Sequence, residues 1–111
     1  MGRYAQATRR GRAVSSGPAL PLPPAPELEV LDGYLWQFAS GNDDTGGFFV
    51  VKRSDDPGGP YFEEDRVAWT AQRNWGPVDL FSEGYWIGTE VGNGTSYAGE
   101  SLASPEVYLA I

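Results

Sequence analysis

The sequence contains no cysteine and no histidine among its 111 residues. Without cysteine there is no disulfide framework, no thiolate metal site and no cysteine nucleophile. Without histidine the chain lacks the side chain that most often serves as a general base or a metal ligand near neutral pH. Most hydrolytic, redox and zinc chemistry depends on these two residue types. We therefore expect a protein that is not an enzyme and that needs no cofactor or metal.

Long apolar runs are also missing from the sequence. No run approaches the roughly 18 apolar residues that a membrane span requires. The arginines near the N-terminus are not followed by the apolar stretch of a secretory signal. We therefore expect synthesis in the cytoplasm and no membrane partner.

Acidic residues are absent from the first 26 positions, which carry Arg3, Arg9, Arg10 and Arg12. Residues 27–111 carry all fifteen acidic residues against four basic ones. The two parts therefore have net charges of +4 and −11, within a total of −7. Such a division predicts a basic arm over residues 1–26 and a separate acidic domain over residues 27–111.

The arm ends in a stretch with five prolines between residues 18 and 26. Proline fixes φ and removes an amide donor, so this stretch should be an extended polyproline II spacer of limited flexibility. A plain disordered tail with a stiff linker is the alternative. We predict that the arm binds a protein partner, and the residues predicted to make the contact are Arg3, Tyr4, Arg9, Arg10, Arg12, Leu20 and Leu22.

The acidic domain has the pattern of an all-β protein. Fifteen glycines and fifteen aromatic residues favour short strands joined by turns. Alternation of apolar and polar residues predicts strands at 27–31, 33–40, 48–54, 61–65, 66–72, 85–91 and 106–111, with an irregular crossing at 74–84. Seven strands at this spacing predict an antiparallel β-sandwich. The predicted core residues are Trp36, Phe38, Val51, Tyr85, Ile87, Val91 and Leu109.

The order of these elements, over about residues 24–111, resembles a fibronectin type III or related immunoglobulin-like domain. The segment "PPAPELEV" leads into strand A, Trp36 is similar to the buried tryptophan of strand B, and "FFVVKRS" looks like strand C. The segment "YWIGTEVGNGTSYAGESLAS" resembles strand F and the Gly-x-Ser-x-x-Ser entry to strand G, carried by Gly99, Ser101 and Ser104. The resemblance implies that Tyr85 is a tyrosine-corner residue, although the usual Leu-x-Pro before it is absent.

Three acidic clusters are candidate sites: Asp43–Asp44, Asp55–Asp56 and Glu63–Glu64–Asp65. A calcium site would need six to eight converging oxygen ligands. Asp-Asp followed by Thr-Gly-Gly or Pro-Gly-Gly is also typical of a solvated turn, and we favour the turn. Glycosidase chemistry needs two carboxylates across a cleft, and nothing in the sequence places two of them so.

Aromatic residues outside the predicted core are candidates for an interface. Trp86 follows Tyr85 in one strand, so the two side chains face opposite sides of the sheet. We predict that Trp75, Trp86 and Tyr97 form a protein interface. Burial under neighbouring chain is one alternative, and a carbohydrate platform that includes Trp69 is another.

A small sandwich with a basic, proline-rich arm resembles the capsid decoration, or cement, proteins of tailed phages. The resemblance implies a structural virion protein whose arm is anchored to major capsid subunits. The alternatives are a tail or head-to-tail connector subunit, and a module that binds carbohydrate or a host cell surface. Nucleic acid is not the expected partner, because the acidic domain would repel phosphates.

Overall fold

A computed structural model describes residues 19–39, 47–69, 74–76 and 82–111, and only the backbone of Trp75. These residues form seven β-strands: β1 (Glu27–Leu31), β2 (Tyr34–Phe38), β3 (Phe48–Ser54), β4 (Phe62–Ala68), β5 (Asn74–Trp75), β6 (Gly84–Val91) and β7 (Val107–Leu109). All pairings between them are antiparallel. Within the described ranges there is no helix, and therefore none long and apolar enough to span a membrane.

The strands form two sheets that pack face to face. One sheet has the order β1-β2-β5 and the other the order β4-β3-β6-β7. Leu28 and Leu35 of the first sheet pack in one cluster with three residues of the second, which are Val51, Trp86 and Leu109. The chain therefore has an immunoglobulin-like β-sandwich of the fibronectin type III kind, and the predicted sandwich fold is confirmed.

Strand boundaries follow the sequence pattern closely in some places and not in others. The predicted strands 27–31 and 48–54 coincide with β1 and β3. The predicted strands 61–65 and 66–72 are instead one strand, β4, which pairs with β3 from Ala68 to Phe62 across a register shift at Val51/Lys52. A β-bulge of this kind adds a residue without ending the strand, so the break in alternation was misleading. Strand β5 lies inside the segment predicted to be irregular.

The inward face of β2 differs from the prediction. Leu35 and Gln37 are buried, whereas Trp36 and Phe38 are half-buried on the outer face with their rings stacked 6.4 Å apart. Gln37 occupies an inward position because its Nε2 donates a 2.8 Å hydrogen bond to the Thr89 carbonyl of the other sheet. The prediction that Trp36 and Phe38 form the core was therefore wrong about the face.

Strand β6 also presents the opposite face to the one predicted. Trp86 is fully buried and belongs to the core, so its predicted role in a surface interface is wrong. Tyr85, Ile87 and Val91 lie half-buried on the outer face, because side chains alternate along a strand. The predicted core positions Val51 and Leu109 are confirmed.

A glycine explains why the inner face of β6 is hard to recognise. A Cβ atom on Gly88 would lie 2.4 Å from the Gln37 Oε1 atom and 3.0 Å from its Cδ atom. The inner face therefore has a gap at Gly88 that the glutamine of the other sheet fills. Along the sequence this face reads Trp-Gly-Glu, which is not an apolar pattern.

Two serines join the chain before β7 to the edge of β6. The Gly88 N–H donates to Ser104 Oγ and the Glu90 N–H donates to Ser101 Oγ, both at 2.9 Å. In return the Ser104 and Ser101 N–H groups donate to the carbonyls of Gly88 and Glu90, both at 2.8 Å. Serine hydroxyls thus replace backbone carbonyls as acceptors. The predicted Gly-x-Ser-x-x-Ser segment therefore satisfies the backbone groups of β6 beyond the point where β7 pairs with it, although the segment itself is not a regular strand.

The described part of the arm, residues 19–26, starts on the sandwich itself. The Ala98 N–H donates a 3.0 Å hydrogen bond to the Pro21 carbonyl, and Pro23 and Pro26 are buried. Ala98 belongs to the loop of residues 92–100, which follows the Val91 end of β6. The base of the arm is therefore fixed at that end of the sandwich.

Two leucines at the base of the arm stay accessible. Leu20 is 39% exposed and Leu22 is 53% exposed, and the Leu22 side chain lies against Gly99 of the same loop. Several predicted sites lie outside the described residues: Arg3, Tyr4, Arg9, Arg10, Arg12 and Asp43–Asp44.

Candidate functional site

An open pocket of about 410 Å³ lies at the end of the four-stranded sheet where β3 ends and β6 begins. This is the opposite end of β6 from the base of the arm. We call it the tyrosine pocket, and its lining residues are Arg53, Asp55, Glu83, Gly84, Tyr85 and Tyr108.

Arg53 fixes one side of the tyrosine pocket. Its Nε donates a 2.8 Å hydrogen bond to the Glu83 carbonyl, and its Nη2 donates to the same oxygen. Nη2 also pairs at 2.7 Å with Asp55 Oδ1, whose side chain is 82% exposed. A Cβ on Gly84, at φ 155°, would lie 2.7 Å from Arg53 Nε, so only glycine leaves room for this arrangement.

Two tyrosines form the other side. Tyr85 and Tyr108 are register partners on β6 and β7, with ring centroids 4.9 Å apart and planes tilted by 52°. The Tyr108 hydroxyl donates a hydrogen bond to the Glu83 carboxylate, and this bond raises the pKa of Tyr108. Two aromatic rings therefore stand beside a fixed carboxylate.

The turn that carries Asp55 is tied to the start of β7. The Gly58 N–H donates a 2.8 Å hydrogen bond to Glu106 Oε1, and the Tyr61 hydroxyl donates to the same oxygen. Both bonds lower the pKa of Glu106, and the bond from Tyr61 has the larger effect. The bond between Tyr61 and Glu106 also raises the pKa of Tyr61. Because β6 lies between β3 and β7, the contact spans the start of β6. It keeps Asp55 at the edge of the tyrosine pocket.

The chemistry of the tyrosine pocket suits a cation. Its two carboxylates outnumber its one guanidinium, which already binds the backbone carbonyl of Glu83 and the carboxylate of Asp55. Aromatic ring faces attract cations, and carboxylates make short charge-assisted bonds with them. An arginine or lysine side chain therefore fits this site better than an anion does.

Other charged groups lie on the outer face of the four-stranded sheet. Glu100 Oε2 pairs with Lys52 Nζ at 2.7 Å and accepts a 2.6 Å hydrogen bond from Thr89 Oγ1. Both contacts lower the pKa of Glu100, and the contact with Lys52 has the larger effect. Glu63 pairs at 3.0 Å with the guanidinium of Arg66, which lowers the pKa of Glu63.

Two of the three acidic clusters lie within the described residues. Asp55 and Asp56 lie in a turn, as predicted, whereas Glu63–Glu64–Asp65 lies within β4. Among the residues that the structure describes, no three acidic side chains come together as a metal site would require.

The predicted aromatic interface divides into separate parts. Trp69 is 1% exposed and stacks on Phe49 with ring centroids 5.2 Å apart, and Trp86 lies in the core. Tyr97 is half-buried in the loop of residues 92–100. The Trp75 side chain is outside the described structure, so its surface role stays a prediction. A carbohydrate platform built on these tryptophans loses Trp69 and Trp86.

Sequence reasoning missed most of the tyrosine pocket. Asp55 stood out only as half of an acidic pair, and Tyr85 only as a predicted core residue. Arg53, Glu83 and Tyr108 carried no signal of their own. The pocket depends on the register that places Tyr85 opposite Tyr108, and a single sequence does not fix register.

No protein-family model matches this chain, and no curated protein matches it. Among solved structures it is similar to a protein described as an Fn3-like protein from Clostridium thermocellum. The identity is 25%, the match covers 86% of this chain and 94% of that one, and the TM-score is 0.43. The sandwich fold of this chain follows from its own strand order and inter-sheet core.

Proposed function

We propose that this chain is a non-enzymatic structural protein whose basic arm attaches it to a larger assembly. The specific role that we propose is a capsid decoration protein of a tailed phage, located in the virion. The observation that carries the proposal is that a basic arm is attached to an acidic domain at one end of the sandwich. The arm begins at the Pro21–Ala98 hydrogen bond, with Leu20 and Leu22 exposed beside it.

The mechanism of attachment follows from the composition of the arm. Arginine makes paired hydrogen bonds with carboxylates, so an acidic groove on a neighbouring protein is the expected partner. The proline spacer has few conformations to lose, which lowers the entropic cost of docking. Many copies on a symmetric shell would add avidity.

The two alternatives differ in the support they receive. A tail or head-to-tail connector subunit would use the same arm in the same way. A carbohydrate-binding or host-surface module would need exposed aromatic side chains, and the burial of Trp69 and Trp86 removes two of the proposed ones.

The first test is the location of the protein. Phage particles are purified by density gradient from a culture that encodes the chain, and are probed with an antibody against it. We expect the chain to co-purify with DNA-filled heads in many copies per particle. Its presence only in the soluble fraction would contradict the virion role.

The second test concerns the arm. Deletion of residues 1–18 keeps the Pro21–Ala98 contact and removes all four arginines of the arm. We expect the shortened chain to be lost from the particles. The control is Arg66→Gln, which removes a positive charge from the acidic domain and should leave particle binding unchanged. Equal binding of the shortened and full chains would show that the arm is not the anchor.

A further inference from the structure

The tyrosine pocket and the base of the arm lie at opposite ends of the sandwich. The pocket is next to Gly84 at the start of β6, and Pro21 is bound to the loop that follows Val91 at its end. The eight residues of β6 cover roughly 26 Å at the rise of a β-strand. A segment that leaves the base of the arm therefore starts about one strand length from the pocket of its own copy.

The length of the chain limits which arginines can return to that pocket. Arg12 is seven residues from Ala19 and can reach at most about 25 Å from it when fully extended. Arg9 is ten residues away and can span at most roughly 35 Å, so the chain would have to be largely extended to cover the length of β6. Arg3 has the most length to spare. A second copy placed head to tail brings its tyrosine pocket next to the base of this arm instead.

We propose that the tyrosine pocket of one copy binds an arginine from the basic arm of a second copy. This inference rests on the proposed function, because it treats the arm as a docking segment and names a second copy as one partner of that segment. The arginine guanidinium would lie against the rings of Tyr85 and Tyr108. It would donate hydrogen bonds to the carboxylates of Glu83 and Asp55.

The charges of the two surfaces also favour an arginine of the arm as the group bound in the tyrosine pocket. The domain of residues 27–111 has a net charge of −11, and the arm of residues 1–26 has +4 and no acidic residue. Asp55 pairs with Arg53 through Oδ1, but its side chain is 82% exposed, and Arg53 also binds the backbone carbonyl of Glu83. Because arm and pocket are different surfaces, each copy can give one arm and receive another. Such a contact builds rings or open chains of copies.

The test measures self-association of the full chain by sedimentation velocity over a range of concentrations at low salt. We expect concentration-dependent growth in mass that added salt weakens, because ions screen exposed charges. The pocket variant carries Asp55→Lys and Glu83→Lys, and we expect it to be monomeric. The matched control carries the same charge changes outside the pocket, at Glu29→Lys and Glu64→Lys, and should still associate.

A mixing experiment shows which surfaces meet. The arm variant carries glutamine in place of Arg3, Arg9, Arg10 and Arg12, and we expect it to be monomeric by itself. Mixed with the pocket variant, it should form a 1:1 dimer and nothing larger, because one intact arm then meets one intact pocket. Circular dichroism of each variant checks that it is folded. The milder variant Asp55→Asn should weaken association about tenfold, as expected for the loss of one charge-assisted hydrogen bond.

Three results would overturn the inference. They are a full chain that stays monomeric, a control variant that loses association as much as the pocket variant does, and a mixture that forms no dimer. Binding of Arg3 in the pocket of its own copy would give the first result. A monomeric chain that still co-purifies with particles through its arm would leave the proposed function standing. If the chain associates through the pocket but is absent from particles, the inference stands and the proposed function is contradicted.

Discussion

The inner face of the four-stranded sheet packs Val51, Trp86 and Leu109 against the other sheet, whereas its outer face is held by pairs of polar and aromatic groups. On that outer face Lys52 pairs with Glu100 and Tyr85 lies against Tyr108. The two faces reverse the pattern expected along β6, where the inner side includes a glycine and a glutamate. On the inner face, the side chains are those whose shapes fit the opposite sheet. On the outer face, the side chains are held by contacts with partners on neighbouring strands.

The largest expected effect is on the inner face, at Trp86. Because this side chain is fully buried, Trp86→Ala should lower the free energy of unfolding by about 3–5 kcal/mol. Denaturant titration followed by circular dichroism measures the change. The control is Tyr85→Ala, the next residue on the outer face, which should cost clearly less. Equal losses would erase the distinction between the two faces.

A smaller loss is expected where the inner face depends on a gap. Gly88→Ala places a methyl group against the buried Gln37 side chain, which should cost roughly 2–3 kcal/mol from overpacking. In the double variant with Gln37→Ala the clash is gone, so the two changes should cost less together than their sum. Strict additivity in thermal or denaturant unfolding would contradict the predicted contact.

The next prediction concerns the hydrogen bonds between β6 and the serines that precede β7, and it is made at Ser104. Ser104→Ala leaves the buried Gly88 N–H without its acceptor and should cost about 1–2 kcal/mol. Hydrogen exchange of the Gly88 amide should accelerate at the same time. Ser82→Ala, at an exposed position, is the control and should change neither measurement.

The smallest effect is expected on the outer face, at Glu100. Lys52 and Thr89 lower the pKa of this carboxyl below its ordinary value of 4.5. Its contribution to stability is therefore present above that value, and is lost as the pH falls through the lowered pKa. Glu100→Gln should cost under about 1 kcal/mol at pH 7, because the pair is partly exposed.

The pH dependence gives this prediction its check. The stability difference between the Glu100→Gln variant and the natural chain should disappear in acid, below the lowered pKa. Glu64→Gln, an exposed carboxylate on β4, should show little difference at pH 7. A Glu100 difference that persists in strong acid would mean that packing, and not charge, is responsible.

Much of the fold could be predicted because alternation and turn residues are local signals. They gave the limits of β1 and β3 and the antiparallel sandwich. The inward faces of β2 and β6 could not be predicted, since Gln37 is acceptable inside only through its bond to Thr89 in the other sheet. The tyrosine pocket depends likewise on residues far apart in sequence, such as Arg53 and Glu83. Contacts between residues so far apart in sequence leave no mark on periodicity.

The serines that join residues 100–106 to β6 have a further consequence when many copies are crowded together. A flat strand edge with free amides and carbonyls is a template for strands of other molecules, and it seeds aggregation. Here the hydroxyls of Ser101 and Ser104 occupy the amides of Glu90 and Gly88. The irregular chain that carries them is also a poor template. Along this border we therefore expect resistance to amyloid-like polymerisation, even at high local density.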